Sequence, residues 1–166
     1  MSDSVLSMTG AEFQTIVEHC RRELPSEACG ILGGRDGRVE SVHPVKSTCP
    51  SPARYAMDPE GQFRALDELS RAGRELVGIY HSHPGGSAAP SRVDVEEACR
   101  PGTTLPNYPG AIQVIVSLQD RAAPVVKGYV LAAGTFIEVA IAICQECGGW
   151  KAGGTPKRRN RCREEE

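Results

Sequence analysis

The stretch GIYHSHPGGSAAPSRVDVEEA, residues 78–98, joins the end of an apolar strand to a polar loop and the start of a helix. His81 and His83 lie two residues apart, so in a strand both imidazoles point to the same face of the sheet. After a loop rich in Pro, Gly and Ser, Ser91 and Asp94 have the spacing of a helix cap. Because imidazole and carboxylate are common zinc ligands, the stretch predicts a metal centre between strand and helix.

A purely structural role fits the same residues one by one. Histidines in a half-buried strand can make ordinary hydrogen bonds, and Ser-x-x-Asp is close to a capping box. The conjunction favours the metal centre, because two histidines on one face, a loop that can fold back and an aspartate on the next helical turn rarely occur together. Asp94 is therefore the expected third ligand, beside His81 and His83.

Sequence patterns on either side of this stretch predict an α+β domain built on one mixed sheet. Three helices are expected, at 9–24 with a capping box of Thr9 and Glu12, from Asp58-Pro59 to Gly73, and at 91–99. The second helix is expected to bury Phe63, Leu66 and Leu69. Strands are expected at 28–34, 38–45, 75–81, 111–118, 124–131 and 135–143, although a helix is also possible for the last segment.

The length of 166 residues and the ordinary globular composition predict one domain, which is expected to be cytoplasmic because no secretory signal is recognised. The expected domain is 1–143, and 144–166 is expected to be a mobile tail rich in Cys, Gly and basic residues. A net charge of −2 argues against a nucleic-acid partner, and no apolar run is long enough to predict a membrane helix. The start of the chain does not resemble a secretory signal, so the seven cysteines are expected to be mostly reduced thiols.

The residues His81-Ser82-His83-Pro84 and Ser91-Arg92-Val93-Asp94 resemble the signature of the JAMM (MPN-plus) zinc metalloproteases. The segment PSEACGILGG, residues 25–34, looks like the early strand on which that family carries a glutamate, here Glu27. The resemblance spans roughly residues 9–140, and the spelling looks most like the prokaryotic sulfur-carrier-processing branch. It implies a cytidine-deaminase-like MPN fold, with one curved mixed sheet packed between helices.

The resemblance also implies a role for each motif residue. His81, His83 and Asp94 would hold one Zn²⁺ with a position left open for water, whose pKa the metal lowers toward about 7. Glu27 would act as the general base and then as the general acid toward the leaving amine. Ser91 would donate a hydrogen bond to the developing oxyanion, and it can cap its helix at the same time.

The family resemblance further implies a ubiquitin-like or sulfur-carrier partner that ends in Gly-Gly. The enzyme would cut the bond after that pair, releasing an amino acid such as cysteine. An isopeptidase that removes ubiquitin-like modifiers from lysine is the first alternative, and a non-catalytic MPN scaffold is the second. The loops 46–57 and 100–110 are the expected substrate contacts. Neither the leaving group nor the oligomeric state follows from the sequence.

Two further patterns bear on zinc. Cys144 and Cys147 form one Cys-x-x-Cys knuckle, and Cys162 could add a third thiolate, but the four ligands of a structural zinc site are incomplete. Ordinary thiols at the start of a tail are therefore favoured over a second zinc site. A zinc deaminase is excluded, because it needs His-x-Glu and Pro-Cys-x-x-Cys, and neither pattern occurs.

Overall fold

The computed structural model describes residues 5–144, which form a mixed sheet and three helices. The helices are α1 (Gly10–Arg22), α2 (Pro59–Arg71) and α3 (Arg92–Ala98). The strands are β1 (Val5–Thr9), β2 (Cys29–Arg35), β3 (Arg38–Val45), β4 (Glu75–His83), β5 (Ile112–Ser117), β6 (Val125–Ala132) and β7 (Thr135–Cys144). None of the helices in this part of the chain is long and apolar enough to cross a membrane.

The sheet curves until it closes on itself in the order β1-β3-β2-β4-β5-β6-β7. Strand β4 pairs antiparallel with β2 and parallel with β5, so the predicted histidine strand lies in the middle of the sheet. Strand β1 runs parallel to β7 over five residue pairs, whereas it meets β3 through the single pair Ser7 and Arg38. Within the closed sheet, β1 is therefore paired extensively with β7 and only at one position with β3.

The two faces of β4 carry different chemistry, because successive side chains alternate across a strand. Tyr80 points to the face covered by α1 and belongs to the main apolar core, with Leu6, Met8 and Ile16 among its members. The other face carries His81 and is the face on which α2 packs. The expected arrangement of one curved mixed sheet between helices is confirmed.

Local sequence explains where the helices begin. Thr9 makes the predicted capping box with Glu12, and the Asp58 carboxylate accepts a hydrogen bond from the Gly61 amide at 2.8 Å. The glycine-rich strand β2 has a packing reason as well, because a Cβ on Gly30 would overlap the Tyr80 ring. Gly30 therefore lets the core face of β4 lie close against β2.

The structure differs from the sequence-based expectations at β1 and at Phe63, and it decides the state of residues 135–144. Strand β1 was not expected, although its Leu6 is completely buried. Burial of Phe63 was wrong, because that side chain is 71% exposed and α2 packs through Ala65 and Leu69 instead. Residues 135–144 form a strand, which settles the alternative left open for that segment. The predictions for Cys147, Cys162 and the rest of the tail lie outside the described residues.

Candidate metal centre

The end of β4 and the first turn of α3 bring the three predicted zinc ligands together. His81 Nε2 lies 3.1 Å from His83 Nε2 and 3.2 Å from Asp94 Oδ1. His83 Nε2 lies 3.3 Å from Asp94 Oδ2, and all three residues are largely buried. Strand β4 continues through both histidines, so their imidazoles share one face as the spacing predicts.

Each pair of atoms has a separation close to that of a tetrahedral zinc site, with the two histidines contacting different oxygens of Asp94. With metal–ligand bonds of about 2.0–2.1 Å, neighbouring donor atoms of a tetrahedron are about 3.3 Å apart. The imidazole Nδ1 of His83 donates a hydrogen bond to the Ser87 carbonyl at 2.7 Å, which leaves its Nε2 with a free lone pair. Two nitrogens and a carboxylate that converge in this way are a donor set for a cation, and their chemistry suits Zn²⁺.

The loop between the ligands follows a fixed path. Ser117 donates a hydrogen bond to the Gly86 carbonyl at 2.6 Å, and the Tyr129 hydroxyl donates to the Ala88 carbonyl at 2.8 Å. These bonds hold the loop against β5 and β6, and they place the Ser87 carbonyl that orients His83. His81 differs, because its Nδ1 is buried and has no hydrogen-bond partner among the described residues.

Asp94 and Ser91 form the capping box that their spacing predicts. The Ser91 amide donates to Asp94 Oδ2 at 2.6 Å, and the Asp94 amide donates to the Ser91 hydroxyl at 3.2 Å. Burial alone would raise the pKa of Asp94, but the contacts with His81, His83 and this amide hold it well below its usual range. The Ser91 hydroxyl only accepts in this box, so its proton is free for another acceptor.

Glu27 lies just before β2 and is only 4% exposed. Burial raises the pKa of Glu27 to about 7; His83 lowers it, and the carboxylates of Asp94 and Glu97 raise it. Its Oε2 is buried without a hydrogen-bond partner among the described residues. A carboxyl group that titrates near neutral pH beside a metal-binding cluster can take up and release a proton during a reaction.

Two residues that support this site were not singled out from the sequence. Ser82 lies between the histidines and points to the opposite face, where its hydroxyl accepts a hydrogen bond from the Ala28 amide at 2.8 Å. This bond fixes the segment that carries Glu27. The Tyr55 ring stacks on the His81 imidazole, with ring centroids 4.9 Å apart. Neither role has a local sequence signal, because each depends on contacts between distant segments.

The loop 46–57 reaches the site as expected. The Glu27 amide donates to the Ser51 carbonyl at 2.8 Å, and Arg54 pairs with Glu97 of α3 at 2.8 Å. The loop 100–110 joins α3 through Asn107, whose side-chain amide donates to the Glu97 carbonyl at 2.8 Å. Both predicted loops therefore border the region next to the metal centre.

Comparison with known proteins agrees with this geometry. Residues 11–127 match the family described as prokaryotic homologs of the JAB domain. A Haloferax volcanii protein named desampylase is 38% identical over 109 residues, which cover 61% of this chain and 78% of the relative. The CysO-cysteine peptidase of Mycobacterium tuberculosis is 32% identical over 133 residues, covering 79% of this chain and 86% of the relative.

A solved structure supports the fold. The solution structure of a Desulfitobacterium hafniense protein is similar with a TM-score of 0.74 at 31% identity, covering 86% of this chain and 95% of that one. The family match and this likeness extend over most of residues 5–144, which includes β4, α3 and the segment of Glu27. The fold expected from the sequence resemblance is thereby confirmed.

Proposed function

Because the chain belongs to the family of prokaryotic homologs of the JAB domain, we propose that it is a zinc-dependent peptidase acting on a ubiquitin-like protein. The bond cut follows the C-terminal Gly-Gly of that protein, and the product released is an amino acid such as cysteine. The observation that carries the proposal is the convergence of His81, His83 and Asp94 at 3.1–3.3 Å. The similarity to a CysO-cysteine peptidase over 79% of the chain supports the substrate class.

The residues around the metal centre divide the work of amide hydrolysis. His81, His83 and Asp94 would hold zinc, which when bound lowers the pKa of a water toward about 7 and polarises a carbonyl group. Glu27 takes a proton from the attacking water and delivers it to the leaving amine. Ser91 donates its hydroxyl proton to the carbonyl oxygen as negative charge develops there.

A substitution at Glu27 tests the proposed proton-transfer step directly. Glu27→Gln keeps the size of the side chain and removes proton transfer, so turnover should fall by about 10²–10⁴-fold while zinc content stays the same. The substrate is a ubiquitin-like protein whose Gly-Gly terminus is extended by one cysteine. The matched control Glu18→Gln, on the exposed face of α1, should leave turnover unchanged. Hydrolysis by the Glu27 variant at the wild-type rate would remove Glu27 from the mechanism.

The Gly-Gly requirement is tested on the substrate side. In this proposal the Gly-Gly tail enters the cleft between the loops 46–57 and 100–110, and a side chain on its last residue would hold the carbonyl away from the metal centre, where small displacements cost about 10²-fold in rate. Changing the final glycine of the ubiquitin-like protein to valine should therefore abolish cleavage. Equal rates for the Gly-Gly and Gly-Val proteins would mark the enzyme as a broader peptidase.

The similarity to a protein named desampylase favours a second candidate. In this alternative the amine belongs to a lysine of a modified protein, and the enzyme is an isopeptidase. The two candidates differ in the leaving group, so they separate when one enzyme preparation is offered both a cysteine-extended carrier and a lysine-linked conjugate. Faster cleavage of the conjugate would favour the isopeptidase.

A further inference from the structure

The strand that presents His81 and His83 carries a buried hydrogen bond on its opposite face. The Tyr80 hydroxyl lies 2.8 Å from Nδ1 of His19 on α1, and the two rings meet edge to face with their centroids 5.8 Å apart. Tyr80 is fully buried, and His19 is only 6% exposed. The mechanism proposed above gives neither side chain a role.

The bond joins two groups that depend on each other for a partner. Burial lowers the pKa of His19 more than the nearby Glu23 carboxylate raises it, so the imidazole is neutral at pH 7. A buried polar group that loses its partner costs more free energy than an average hydrogen bond contributes. Because a hydrogen bond also weakens steeply away from its preferred length and angle, this pair fixes the spacing between α1 and β4.

The backbone of β2 makes room for this bond. Gly30 of β2 pairs with Tyr80 across the two strands, and a Cβ on Gly30 would overlap the hydroxyl end of the Tyr80 ring. The ring therefore lies against the bare backbone of β2, where its hydroxyl reaches His19. A side chain at position 30 would displace the hydroxyl from the imidazole.

Consecutive backbone hydrogen bonds connect His19 to the segment of Glu27. The His19 carbonyl accepts a hydrogen bond from the Glu23 amide at 3.2 Å, and the Glu23 carbonyl accepts one from the Ser26 amide at 2.9 Å. Glu27 follows directly, and its own amide donates to the Ser51 carbonyl at 2.8 Å. A shift of the end of α1 is therefore passed to Glu27 through a short, hydrogen-bonded turn.

Strand β4 thereby connects to both parts of the candidate site. His81 and His83 point to the metal centre, whereas Tyr80 points to α1, because successive side chains of a strand alternate between its faces. The path from Tyr80 through His19 to Glu27 starts one residue away from His81. The distance between the general base and the metal centre thus depends on how α1 is held against this strand.

From these contacts we propose that His19 and Tyr80 are positioning residues, whose hydrogen bond sets the place of the Glu27 carboxyl group relative to the metal centre. Tyr80 points away from the face of β4 on which the metal centre lies, so the pair acts through Glu27. Apolar side chains of similar size would fill the same space but would let the end of α1 shift. The inference rests on the proposed function, because it takes Glu27 as the group that transfers the proton.

The kinetic test compares a single and a double variant. Tyr80→Phe removes only the hydroxyl, and the combination with His19→Leu replaces both partners by apolar groups, which should recover most of the lost stability. With a ubiquitin-like protein whose Gly-Gly terminus is extended by one cysteine, kcat should fall about tenfold in both variants at unchanged KM and zinc content. The control His43→Leu, on β3, should keep the wild-type kcat. If kcat recovers together with stability in the double variant, the pair is merely structural and the proposal is overturned.

A measurement without substrate separates this inference from the function on which it rests. Hydrogen exchange of the Glu27 and Ala28 amides is followed by NMR in the metal-free wild type and in Tyr80→Phe. Exchange of both amides should rise about tenfold relative to the Leu32 amide in the middle of β2. If Tyr80→Phe does not fold, the double variant carries both measurements, because it leaves no member of the pair without a partner.

Unchanged exchange at Glu27, or an equal rise at Glu27 and Leu32, contradicts the positioning role. If wild type cleaves no extended ubiquitin-like protein but exchange rises selectively at Glu27 and Ala28, the proposed activity fails and the positioning of this segment by His19 and Tyr80 stands.

Discussion

At the scale of single residues, the raised pKa of Glu27 makes a prediction about stability. A carboxyl group with a pKa of about 7 in the fold, against an ordinary value of 4.5, prefers to be protonated when folded. Its ionisation therefore destabilises the metal-free fold above pH 7, and this penalty disappears as the pH falls from 7 to 4.5. The same burial that prepares the group for proton transfer thus reduces stability.

We accordingly expect metal-free Glu27→Gln to be more stable than metal-free wild type at pH 8, by about 1–3 kcal/mol. At pH 4.5 the two proteins should differ little. Urea unfolding in the presence of a chelator measures both values. Glu18→Gln, at an exposed site on α1, corrects for the loss of a negative charge. A difference that grows toward low pH would contradict the assigned direction of the shift.

Ser82 makes a second prediction at this scale. Ser82→Ala removes the acceptor of the buried Ala28 amide, so we expect a loss of about 1–3 kcal/mol in unfolding free energy. His81, His83 and Asp94 remain, but the segment of Glu27 loses one of its hydrogen bonds, so turnover should fall by about tenfold at unchanged zinc content. Ser70→Ala, at an exposed position of α2, is the matched control. Unchanged turnover would show that Ser82 does not position Glu27.

At the scale of secondary structure, β1 is the element whose contribution is least evident from the sequence. Two adjacent residues of β1 differ in burial, because Leu6 is fully buried in the core and Val5 is 42% exposed. Leu6→Ala should therefore cost about 2–5 kcal/mol in unfolding free energy, and Val5→Ala less than about 1 kcal/mol. Denaturant unfolding of the two variants checks this, and similar losses would place β1 outside the core.

The elements that sequence patterns predicted well have short-range causes. The capping boxes of Thr9 and Ser91 and the alternation that puts His81 and His83 on one face depend only on residues a few positions apart. The features that sequence patterns predicted wrongly depend on tertiary contacts. Helix α2 turns Phe63 outward because Leu69 fits against the bare backbone of Gly33, where a Cβ would overlap it.

The features of the candidate site also separate into those with short-range causes, which were predicted, and those that depend on tertiary contacts, which were not. The clustering of His81, His83 and Asp94 was predicted because the three residues lie in one continuous stretch of sequence. The stacking of Tyr55 on His81 was not predicted, because a loop and a strand far apart in sequence supply it. Helical and strand periodicity indicates which face a residue occupies, but it does not indicate what lies opposite that face.

At the scale of the whole molecule, zinc would join elements that are otherwise held by loops. Binding to His81, His83 and Asp94 ties the end of β4 to the start of α3. A ligand that binds only the folded state at 100 times its Kd stabilises that state by about 2.7 kcal/mol. For a chain of this size we expect the Tm to rise by roughly 5–10 °C.

Differential scanning fluorimetry with zinc and with chelator measures this rise. His83→Ala should abolish both the rise and the bound zinc while most of the fold remains, because the apolar core lies on the other face of β4. His43→Ala, which changes a partly buried histidine on β3 that pairs with Glu68, should retain both. Wild type that neither contains nor takes up zinc would refute the metal centre itself.

The parallel pairing of β1 with β7 also has a consequence for synthesis on the ribosome. Strand β7 emerges about 130 residues after β1, which at elongation rates of about 5–20 residues per second is a delay of roughly 7–26 seconds. The nascent chain carries His81, His83 and Asp94 by residue 94, whereas the pairing of β1 with β7 cannot form until β7 leaves the exit tunnel. During that interval β1 is left with its single pairing to β3. Ribosome-bound chains that end before Thr135 should therefore expose the edge of β1 to chaperones and proteases.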